Sequence, residues 1–86
     1  MPEICRFYGI VVTLNFNDHL PPHFHVWYGD YRATADIMSG EVLHGDLPVH
    51  AARLIREWVG VHRSELAENW EQVRQGRAPF SIAPLE

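Results

Sequence analysis

His23-Phe24-His25-Val26-Trp27-Tyr28-Gly29-Asp30-Tyr31-Arg32-Ala33-Thr34-Ala35-Asp36 is the stretch whose reading decides the fold. Gly29-Asp30 is a Gly-X pair of the kind that closes a two-residue hairpin. Such a turn fixes the register of its strands, so Tyr28 faces Tyr31, Trp27 faces Arg32, Val26 faces Ala33, His25 faces Thr34, Phe24 faces Ala35 and His23 faces Asp36. Successive side chains point to opposite faces. One face therefore holds Phe24, Val26, Tyr28, Tyr31, Ala33 and Ala35, and is the side on which a helix should pack. The other holds His23, His25, Trp27, Arg32, Thr34 and Asp36. That face is polar, and one helix cannot cover both sides of a sheet.

Working outward, Ile4 to Phe7 reads as a short strand closed by Gly9, and the alternation from Ile10 to Phe16 as a second. Asn17-Asp18-His19-Leu20-Pro21-Pro22 breaks the pattern with loop chemistry. After the hairpin, Ser39-Gly40 is a further turn and Glu41 to His44 a fifth strand. Short connections between successive strands imply an antiparallel meander over residues 1–47.

Beyond Pro48, which suits a helix start, the apolar positions are Ala51, Leu54, Ile55, Trp58, Val59, Val61, Leu66, Trp70 and Val73. At about 100° per residue they fall within one arc of roughly 180°. The spacing predicts one long helix over 48–76, with Gly60 able to kink it and Gly76 placed to stop it. Residues 77–86 contain two prolines and should run extended over the surface. The expected architecture is α+β in a single domain over 1–86: an antiparallel meander of four or five strands with one C-terminal helix across one face.

With 86 residues the chain is too short for a Rossmann fold, a barrel enzyme or a kinase. No apolar run approaches a membrane span, and the start lacks the pattern of a signal peptide. Cys5 is the single cysteine and reads as a small buried hydrophobe. These features favour the cytoplasm. The basic residues are all arginine, and the net charge is −4 with histidine neutral. A net-acidic domain makes a poor general nucleic-acid binder. Residues 1–47 hold two arginines and six acids, so the histidine-bearing half is the acidic half and favours a cation or a basic partner.

Six histidines are many for this length, and His19, His23 and His25 fall close together. His-x-His on a strand points two imidazoles the same way, about 7 Å apart. With Asp36 beside His23, the set His23, His25 and Asp36 matches a facial triad for a divalent metal ion. Asp18 and His19 in the adjoining loop could add ligands or assist catalysis. Without metal, the same histidines could do acid–base work, with Asp36 orienting His23. The simpler reading is a solvated face carrying one His–Asp pair. Trp27 opposite Arg32 permits a cation–π contact and an anchor for a partner protein. On the helix, His62, Glu65 and Asn69 lie inside the apolar arc and need partners. They could reach a site at the sheet edge, or bond to backbone. On the far side Gly60, Ser64 and Ala67 form a row of small residues flanked by Arg56, Arg63 and Arg74, fit either for a second helix or for solvent. His44 and His50 have no evident role. Six histidines would also suit a pH sensor.

Met1-Pro2-x-Ile4-x-Arg6-Phe7-x-Gly9-Ile10 resembles the opening of a small prokaryotic family, domain of unknown function 4160. The same holds for Phe16-x-Asp18-His19-x-Pro21-Pro22-His23-Phe24-His25-Val26, for Gly40-Glu41-Val42-Leu43-x-Gly45-x-Leu47-Pro48, for Glu57-Trp58-x-x-x-His62-Arg63-x-Glu65-Leu66-x-x-Asn69-Trp70 and for Ile82-x-Pro84-Leu85. The resemblance implies a small partner protein of the type called domain of unknown function 2442, in a toxin–antitoxin-like module. It implies a partner more firmly than a reaction. Two readings follow: an interaction component that binds this partner and could also pair with itself, or a small metal-dependent hydrolase or nuclease built on the histidines.

Overall fold

The computed structural model describes residues 2–16 and 19–86. Among them, β1 (Glu3–Phe7), β2 (Ile10–Thr13), β3 (His23–Tyr28), β4 (Tyr31–Asp36) and β5 (Val42–Gly45) precede one helix, α1 (Val49–Arg74). The strands form a single antiparallel sheet in the order β1-β2-β3-β4-β5, the meander that short connections dictate. The hairpin register is the one set by Gly29-Asp30, from Tyr28 opposite Tyr31 to His23 opposite Asp36.

The core lies between the sheet and α1. Phe24, Val26, Ala33 and Ala35 share it with Ala51, Ile55, Trp58, Val59, Leu66 and Val73 of the helix. The Trp58 ring sits 5.7 Å from that of Phe7 and 5.8 Å, edge to face, from that of Phe24. The expected core face holds along the hairpin except at its tip. Tyr31 is 43% exposed, and Tyr28 is half-buried and shares a hydrogen bond of 3.0 Å with His50.

Two details of the helix differ from the pattern. The non-helical residue is His62, at φ −117° and ψ 25°, not Gly60. At the end, Gly76 takes φ +76°, while its N–H bonds to Val73 O and the Arg77 N–H bonds to Gln72 O. That is the Schellman arrangement a glycine permits. The tail does not lie loosely on the surface. Ile82 is buried in the core and donates its N–H to Ile4 O. Trp58 Nε1 donates to Ala83 O at 2.9 Å.

β5 joins through an irregularity. Thr34 pairs with His44 but Ala35 pairs with Val42, so Leu43 is the extra residue of a bulge. Gly45 takes φ +84°, and a Cβ there would lie 2.2 Å from Arg32 O. Only glycine lets β5 close on β4 at that point.

Candidate functional site

The face of the sheet turned away from α1 carries the histidines. His23 and His25 project from β3, with ring centroids 5.3 Å apart. His19 lies 5.8 Å from His23, and Trp70 of the helix lies 5.6 Å from it on another side. This end of the face is therefore not open: His23 is only 6% exposed. Trp70, close to the C-terminal end of α1, and His19 lie against its ring.

Hydrogen bonds set the ring chemistry. A backbone carbonyl only accepts, so His23 Nδ1–H donates to Pro21 O at 2.7 Å, and the neutral ring keeps its lone pair on Nε2. Asn15 Nδ2 donates to His25 Nε2 at 3.0 Å, which places the proton of neutral His25 on Nδ1. The two imidazoles thus present opposite nitrogens to their anchors.

Asp36 does other work than the sequence suggests. Its backbone pairs with His23, but its Oδ1 accepts the N–H groups of Met38 at 2.7 Å and Ser39 at 3.0 Å. This is an Asx-type turn into β5, which Ser39 continues by accepting the Glu41 N–H. Among the described residues no three of His, Cys, Asp and Glu are arranged to hold a metal ion, so His23, His25 and Asp36 do not converge as a ligand set. Asp18 lies outside the described residues.

Trp27 and Arg32 do meet. The guanidinium carbon of Arg32 lies 4.5 Å over the Trp27 ring. A shallow groove of about 310 Å³ runs beside them, bordered by His25, Thr34, His44 and Gly45. A second hollow of about 150 Å³ continues from it past His19, His23 and Leu43. The two share His25, Thr34 and His44. His44 has no role in the sequence reading, yet it belongs here. Its pairing with Thr34 puts it on the histidine face, and the bulge brings Leu43 alongside. Plain alternation along the fifth strand would put Leu43 opposite Thr34, and it is the bulge that places His44 there.

The polar residues in the helix arc divide. Asn69 is fully buried and takes both backbone groups of Phe80, so it binds the tail and not a site at the sheet edge. His62 Nδ1 and Glu65 Oε1 pair at 2.6 Å beside the helix distortion, on the flank of the buried face. Gly60, Ser64 and Ala67 are exposed on the opposite side of the molecule from Trp27. Of the flanking arginines, Arg63 donates to Met38 O, Arg74 pairs with Glu71 at 3.7 Å, and Arg56 is exposed. The two candidate partner surfaces are thus separated by the core. Burial raises the pKa of the Cys5 thiol, the behaviour of a structural and not a reactive cysteine. No helix among the described residues is long and apolar enough to cross a membrane.

Searches of curated proteins and of solved structures each found no match. Residues 9–71, which include the histidine loop, the hairpin, β5 and most of α1, match the model of the family described as Domain of unknown function (DUF4160), and the chain belongs to that family.

Proposed function

We propose that this protein is a cytoplasmic interaction component of a toxin–antitoxin-like two-protein system, binding a small partner of the domain-of-unknown-function 2442 type. The observation that carries the reading is the Trp27–Arg32 stack beside a groove on the sheet face that α1 leaves uncovered. Aromatic residues and arginine are the side chains that anchor interfaces. The exposed row of Gly60, Ser64 and Ala67 provides a second surface, suited to a second copy of the chain. Size-exclusion chromatography with light scattering on the co-expressed pair tests the reading. A stable heteromeric complex that Trp27→Ala weakens is expected. Two independent monomers at micromolar concentration would overturn it.

A second reading is a small hydrolase or nuclease that works through His23 and His25, assisted by His19. It is favoured by the bond from His23 Nδ1–H to Pro21 O, which orients the ring. Metal analysis and RNase assays on untagged protein, beside a His23→Ala/His25→Ala variant, separate the two. Equal, negligible metal and activity in both proteins would remove the enzyme reading.

A further inference from the structure

Among the described residues four buried side-chain polar atoms lack a hydrogen-bond partner: Thr13 Oγ1, Asn15 Oδ1, Thr34 Oγ1 and Trp70 Nε1. All border the histidines. Thr13 and Thr34 are the two cross-strand neighbours of His25, Asn15 is its hydrogen-bond donor, and Trp70 stacks near His23. Folded proteins pair nearly all such groups. Of these residues only Thr34 also lines the hollows.

The charge of the lining says what the hollows would take. Residues 1–47 are acidic as a whole, but among the described residues no Asp or Glu lines either hollow. Among the described residues the walls carry four imidazoles and one permanent cation, Arg32. Among the described residues Arg32 has no carboxylate partner. It lies over Trp27, which holds its planar fork in place. A guanidinium so placed offers paired N–H donors to an anion and a flat face to a ring. The larger groove, at about 310 Å³, reaches the lower end of the size range of small-molecule sites.

We infer that this groove is a binding site for a small planar organic anion, a ring carrying a phosphate or carboxylate. The anionic group pairs with Arg32 and His44, and the ring stacks along the Trp27–Arg32 platform. The site belongs to the isolated chain, so its test does not depend on any partner protein.

Titration of the isolated protein, followed by ¹H–¹⁵N NMR and calorimetry, tests it with four probes. Adenosine 5′-monophosphate and benzoate are the planar anions, inorganic phosphate the bare anion, and adenosine the uncharged ring. At least one planar anion should bind with a Kd of about 1 mM or tighter, and phosphate and adenosine about tenfold more weakly. Which of the two binds better tells phosphate from carboxylate. The amides of Thr34 and His44 and the Trp27 indole should shift. Arg32→Gln should weaken binding about tenfold, and Thr34→Val, which removes a buried hydroxyl, should leave it unchanged. Thr34→Val replaces an unpartnered buried hydroxyl with a methyl group, so its thermal midpoint should hold or rise. No shift at these residues with any probe overturns the inference. So does binding of phosphate or adenosine as tight as that of the planar anions, or an Arg32→Gln affinity equal to that of the unsubstituted protein.

Discussion

Asn69 binds the backbone of Phe80 from both sides: its Nδ2 donates to Phe80 O at 2.8 Å, and its Oδ1 accepts the Phe80 N–H at 2.9 Å. A side-chain amide reproduces here the pairing of a neighbouring strand, and fastens the tail to the helix inside the core. Asn69→Leu keeps the volume but leaves two backbone groups unpaired. It should cost about 2–3 kcal/mol, measured by urea denaturation, and expose residues 77–86 to limited proteolysis. Unchanged stability with a protected tail would show that the bonds do not hold it.

Trp58 ties the same tail to the sheet. It is fully buried, touches the Phe7 and Phe24 rings, and donates Nε1–H to Ala83 O. Trp58→Phe should lose about 1–2 kcal/mol for the bond and part of the packing, whereas Trp58→Ala should lose about 3–5 kcal/mol. Chemical denaturation of both variants separates the hydrogen bond from the ring.

Two glycines should respond in opposite directions to alanine. At Gly45 a new Cβ meets Arg32 O at φ +84°. Gly45→Ala should destabilise by more than about 1 kcal/mol and distort the groove wall, seen as amide shifts at Arg32 and His44. At Gly60, inside the helix, a Cβ meets nothing within 4 Å. Gly60→Ala should stabilise by about 0.5–1 kcal/mol. A stabilised Gly45→Ala would contradict the close approach of β5 to β4.

Burial raises the Cys5 pKa, so the folded state disfavours the thiolate. The folded chain then holds its proton to higher pH than the unfolded chain. Stability should be unaffected by this group below the ordinary thiol range and should fall as pH rises through it. In native protein at pH 8, Cys5 should resist a disulfide exchange reagent and react fully once unfolded. Rapid reaction of the native protein would contradict its burial.

The hairpin was legible in the sequence because a two-residue turn and a period of two leave one register, and no distant residue can change it. The long helix was legible for the same kind of reason: its apolar phase persists from Ala51 to Val73, and Gly76 supplies the stop. The candidate site was legible only in part. Backbone pairing placed His23 opposite Asp36, but it does not say where a carboxylate points, and the local N–H groups of Met38 and Ser39 claim it. His44 entered the site through a bulge, which shifts a strand by one residue without a clear mark in composition.

What the sequence by itself determined is therefore what depends on near neighbours: element types, the hairpin register and which side chains share a face. What only the tertiary structure decided depends on groups far apart in the chain. The docking of the tail through Asn69 and Trp58, the closing of the histidine end by Trp70, and the meeting of His25, Thr34 and His44 along one groove all arise from three-dimensional packing. The tail docks because the buried polar groups of Asn69 and Trp58 find partners, and those partners are chosen by proximity in the folded chain and not by spacing along it.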